Sequence, residues 1–160
     1  MLHSRARRIG IGAIAVAGAA TLTLATNAAA ATAVEGVPTA SYQLCGTVYS
    51  GTWTENSAPP ATSQGIPGVT VTGTLYNSDG TASGWTGNAT TGSGGEYCVQ
   101  GTSAMATTVT TGGYVVLTAA SPSTPSPWAS GGNTHINSSV FADHGYGFPP
   151  LSAYHFNFVQ

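Results

Sequence analysis

Short runs of alternating apolar and polar residues recur along the chain, separated by Gly, Pro, Asn and Asp. In "GIPGVTVTGTLYNSDG", residues 65–80, Val69, Val71 and Leu75 fall on alternating positions between the turn signals Pro67-Gly68 and Asp79-Gly80. Side chains of a strand point to opposite faces in turn, so this spacing predicts a strand with those three residues facing a core. "SYQLCGTVYSGTW" places Tyr42, Leu44 and Val48 on one parity and Cys45, Thr47 and Tyr49 on the other. "GGEYCVQG" sets Tyr97 and Val99 against Cys98, and "TTGGYVVLTAA" is the most apolar run. "SGWTGNATT" is polar and suits a sheet edge or a solvent face. "NTHINSSVFA" is a weaker strand. "AYHFNFVQ" closes the chain with Tyr154, Phe156 and Phe158 on one parity. "PSTPSP" at 122–127 reads as an extended polyproline-like loop. Beyond the first 33 residues nothing carries helical spacing. About seven short strands with turns between them predict an all-β, two-sheet sandwich.

The start of the chain has a different pattern. Arg5, Arg7 and Arg8 precede an apolar run from Ile9 to Ala25, which leads into the small-residue stretch "NAAAATA". This is the layout of a secretory signal peptide. The run is short and rich in Ala, Gly and Thr, which disfavours a permanent span. We expect a leader over 1–33, cleaved between 30 and 33, then a short extension over 34–41 and one sandwich domain over 42–160. The leader is actinobacterial in style. With no sorting motif, the expected product is secreted and not covalently anchored to the cell wall.

Charge narrows the function classes. The chain has no lysine, and its three arginines all lie in the leader. The remainder carries five carboxylates, Glu35, Glu55, Asp79, Glu96 and Asp143, for a net charge of −5 with the histidines neutral. Such a domain has no electrostatic footprint for nucleic acid or anionic membrane, and no guanidinium clamp for phosphate or carboxylate substrates.

Cys45 and Cys98 are the only cysteines. In an exported chain an even count argues for one disulfide, the alternative being two free thiols. A bridge would close a loop of about 54 residues, worth roughly 4 kcal/mol by chain entropy.

In order, "CGTVYSG", "GIPGVTVTGTLYNSDG", "TTGSGGEYCV", "TTGGYVVLT" and "HFNF" resemble the B-type repeat of Gram-positive surface adhesins. That repeat belongs to the transthyretin-like (prealbumin-like) sandwiches. The resemblance covers about residues 42–160. It implies that the strand at 42–49 lies beside that at 95–101, bringing Cys45 and Cys98 together. It also implies a non-catalytic adhesion, binding or structural module, with a surface protein or glycan as partner. Some relatives bind calcium through an Asp-rich loop, but here Glu55 is the only acid of "SGTWTENSAPPATSQG", too few for the oxygen ligands calcium needs. The lysine–asparagine isopeptide bond of other relatives is excluded by the absence of lysine. No cofactor is expected.

Two constellations keep other classes in view. His135, His144 and His155, with Asp143, could hold a metal and make a small metal-dependent enzyme. Trp53, Trp85 and Trp128, if exposed, could stack sugars as in carbohydrate-binding sandwiches. Polar, lysine-free edge strands also leave self-association through sheet edges open.

Overall fold

The computed structural model describes residues 31–120 and 135–160. Nearly all of the expected leader, the "PSTPSP" loop and Trp128 lie outside the described residues.

Two sheets face each other. In the first, β1 (Gln43–Ser50) is central, pairing antiparallel with β2 (Gln64–Gly65) and β5 (Glu96–Gln100) on one side. On its other side β1 takes the parallel C-terminal strand β8 (Phe158–Val159). The second sheet runs β4 (Ala82–Thr90), β3 (Thr70–Tyr76), β6 (Tyr114–Ala120), β7 (His135–Ile136). Val69, Val71 and Leu75 are buried between the sheets as their spacing predicts, with Leu44, Val48, Val99, Val115, Leu117 and Phe156. The polar "SGWTGNATT" forms β4, an edge strand with no charged side chain.

Cys45 stands directly opposite Cys98 in the β1–β5 register, Cα to Cα 4.1 Å, and the two form a disulfide. The short separation marks a pair that exchanges no backbone hydrogen bonds. Cys45 instead sends its N–H to the Ala153 carbonyl (3.0 Å) and accepts from Phe156 N (3.1 Å).

Two helices replace expected irregular or extended structure. α1 (Ser103–Thr110) connects the sheets. Thr102 caps it, its hydroxyl accepting from Met105 N at 3.1 Å, and it buries Met105, Ala106 and Val109. α2 (Ser138–Asp143) ends the expected strand "NTHINSSVFA" after two residues, because the Asn137 side chain accepts from Val140 N at 3.0 Å and starts a helix. The closing run "AYHFNFVQ" is a strand only at Phe158–Val159, since His155 adopts φ +64° and interrupts the extended backbone. Phe156 and Phe158 join the core, but Asn157 and Val159 are buried too, so the expected parity does not separate two faces here.

Residues 31–40, mostly the stretch expected as a short extension, are built into the fold as a strap across the outer face of the first sheet. Gly65 N donates to Ala31 O, Ala33 N to Ser63 O and Val34 N to Gly94 O, at 2.8 to 2.9 Å. Thr47 Oγ1 donates to Val34 O (2.8 Å) and accepts from Gly36 N (3.2 Å). A β-carbon on Gly36 would overlap the Gly46 carbonyl, so only glycine permits this close approach. The strap explains why Cys45, Thr47 and Tyr49, on the face of β1 turned away from the core, are buried as fully as Leu44 and Val48.

Candidate binding face

The outer face of the second sheet is made by the residues alternating with the core positions. β3 contributes Thr70, Thr72, Thr74 and Tyr76, and the registers align them across the sheet. Thr72 lies between Asn88 of β4 and Thr118 of β6, and Thr74 between Thr86 and Val116. Tyr76 lies between Ala82 and Tyr114. No side chain in these rows is charged. Among the described residues, the hydroxyls of Thr70, Thr74 and Thr86 have no hydrogen-bond partner. Thr118 Oγ1 makes only a long bond to Thr72 O, at 3.4 Å.

An aromatic ladder crosses one end of this face. Tyr76 stacks on Tyr114 (centroids 5.1 Å, planes 14° apart), and Tyr114 stacks on His135 (4.1 Å, 25°). The β3–β4 turn beside it carries Asp79. Its carboxylate accepts from the hydroxyl and N–H of Thr81, at 2.6 and 2.9 Å, and these bonds hold its pKa below the usual carboxylate range.

The three histidines go to three different places. His135 belongs to the ladder. His144 is buried, stacked on Phe156 at 4.9 Å, with Nδ1 donating to the Tyr154 carbonyl at 2.9 Å. Its Nε2 lies 4.0 Å from Asp143 Oδ2. His155 ties the strap to the body. Its Nε2 bonds Glu35 Oε1 at 2.5 Å and its Nδ1 faces Asn56 Oδ1 at 3.1 Å. Asn56 Nδ2 donates to Asp143 O and Oδ2, at 3.3 and 3.4 Å, which fixes the orientation of the amide. Both nitrogens of His155 are therefore engaged. Among the described residues no three His, Cys, Asp or Glu side chains gather to hold a metal. Asp143, although beside His144 and in reach of Asn56, does not bring the histidines together.

The tryptophans also separate. Trp53 is exposed in the loop after β1. Trp85, a candidate only if exposed, is half-buried and packs on the core, its indole lying over Gly73 and Gly87. Sequence reading missed Tyr76 and Tyr114, whose partnership depends on the β3–β6 register.

A shallow cleft of about 470 Å³ lies between the strap and β4–β5, lined by Glu35, Val37, Thr90, Glu96, Tyr97 and Cys98. Among the described residues, its carboxylates face no lysine or arginine, and Glu35 bonds His155. Tyr97 donates through its hydroxyl to the Phe156 carbonyl at 2.5 Å, and complete burial pushes its pKa far above the ordinary range.

No family model, curated protein or solved structure matches this chain.

Proposed function

We propose that this chain is an exported, non-catalytic binding module on a transthyretin-like sandwich of the adhesin B-type. It engages its partner through the outer face of the second sheet. The observation that carries the reading is the uncharged, hydroxyl-rich surface of β4, β3 and β6, where the hydroxyls of Thr70, Thr74 and Thr86 have no partner among the described residues. Polar groups left free in ordered rows are available to an incoming ligand. The β1–β5 pairing, with Cys45 opposite Cys98, supports the adhesin-like reading. The disulfide and the Arg-led apolar leader support export.

The test is a binding isotherm of the secreted protein on isolated cell-envelope fragments. Saturable binding should be lost in a Thr72→Glu/Thr118→Glu variant whose thermal midpoint is unchanged. Non-saturable binding, or equal binding by the variant, would overturn the proposal.

A further inference from the structure

Resting on that reading, we infer that the outer face carries a saccharide subsite at Tyr76, which takes a neutral pyranose unit of a polysaccharide. Tyr114 covers one face of the Tyr76 ring. On the opposite side the residue in register is Ala82, which is small and exposed. Tyr114 itself lies between Tyr76 and His135, so both its faces are taken. Tyr76 is therefore the tyrosine of the ladder with a face turned toward a one-carbon side chain.

The backbone around this point widens the space. Between Ala82 and Thr86 the β3–β4 register shifts, so that Ser83, Gly84 and Trp85 stand opposite Leu75 alone. Gly84 takes φ +87°, and a β-carbon there would meet nothing within 4 Å. Trp85 packs on the core, and among the described residues no large side chain of β4 stands on the outer side of this bulge. In the subsite we infer, Tyr76 is the wall and Ala82 and Gly84 are the floor. In the next row Thr74 and Thr86 stand opposite each other, with hydroxyls that have no partner among the described residues.

This combination selects a chemical class. A pyranose offers a C–H face to an aromatic ring and hydroxyls around its rim, which an aromatic wall beside two free hydroxyls complements. Charge complementarity excludes the alternatives. Beyond the leader the chain has no lysine or arginine to hold a uronate or phosphate polymer. The rows carry no carboxylate for an amine, and the neighbouring Asp79 already accepts two bonds from Thr81 at one oxygen. A neutral glycan satisfies the face without burying an unpaired charge.

The experiment is calorimetric titration of the secreted protein with cellohexaose, chitohexaose and xylohexaose, with a polygalacturonate oligomer as the anionic control. We expect saturable binding of at least one neutral hexamer and none of the anionic one. Tyr76→Ala should weaken that binding at least about tenfold. Ala82→Gln, which fills the floor while leaving both tyrosines of the stack in place, should do the same, while Trp53→Ala leaves it unchanged. If no neutral hexamer binds at ~10 mM, or if wild type and Ala82→Gln bind alike, the subsite is overturned. The envelope isotherm above separates the two levels. Envelope binding that is lost on charging Thr72 and Thr118, without any hexamer binding, would keep the face and refute the glycan.

Discussion

Removing the disulfide tests how this charge-poor sandwich is held together. A Cys45→Ala/Cys98→Ala variant avoids burying a hydroxyl at the fully buried position 45. The cysteines are 53 positions apart, so the bridge closes a loop of about 54 residues. The chain-entropy relation then gives a loss of about 4 kcal/mol from the unfolded state alone. For a domain of ~130 residues this lowers the thermal midpoint by roughly 15 °C. The two deleted sulfurs add to the loss, since Cys45 is covered by the strap and Cys98 Sγ lies 3.6 Å from the Val37 carbonyl. Few other contacts can compensate, because the described ion pairs all involve histidine. Guanidinium denaturation of the oxidised wild type and the variant, without reductant, measures the difference. A loss below about 1 kcal/mol would refute the reasoning, as would two titratable thiols in the native wild type.

Three further outcomes are expected. Gly46→Ala would drive a β-carbon into the Phe156 carbonyl, which is backbone and cannot rotate away; a loss of about 3 kcal/mol or more should appear in the melt, and a neutral effect would contradict the packing of the C-terminal segment on β1. Tyr97→Phe strands the buried Phe156 carbonyl and should cost about 1–3 kcal/mol at neutral pH. Because the folded pKa of Tyr97 is raised, its neutral form stabilises the fold fully below the ordinary tyrosine value near 10, and that stability is lost as pH rises beyond it; the deficit of Tyr97→Phe should thus narrow above pH ~10 by about 1.4 kcal/mol per unit, and a constant deficit would count against burial as the cause. Glu35→Gln or His155→Gln should speed hydrogen exchange at the Ala33 and Val34 amides at least about tenfold, whereas unchanged exchange would mean that the strap is held by its backbone bonds alone.

The strands were legible where one face is buried and the other is not. β3 shows this best, since Val71, Gly73 and Leu75 go in while Thr70, Thr72 and Thr74 stay out. α1 escaped because it is one short element with three buried residues among threonines, whose hydroxyls bond back to carbonyls one turn earlier, as Thr107 does to Ser103 and Thr110 to Ala106. Asn137 was a readable cap that the apolar alternation around it concealed. The strap has no periodicity to read, because backbone groups, Gly36 and the Glu35–His155 contact hold it. The histidines fall in one short stretch of sequence but do not converge as metal ligands among the described residues: α2 and the left-handed turn at His155 send them to a sheet face, the core and the strap. The candidate face needed the registers, since no single strand shows that Thr72 meets Asn88 and Thr118, or that Tyr76 faces Ala82.

The strap has a practical consequence. Residues 31–160 contain no lysine, so over this stretch only an α-amino group could be a primary amine. If export leaves Ala31 as the first residue, that amine sits where the strap begins, on the outer side of the first sheet. The Thr72 face lies on the opposite side of the sandwich. Amine coupling to a sensor chip or bead would then attach every molecule at one point and in one orientation, with the candidate binding face directed away from the support.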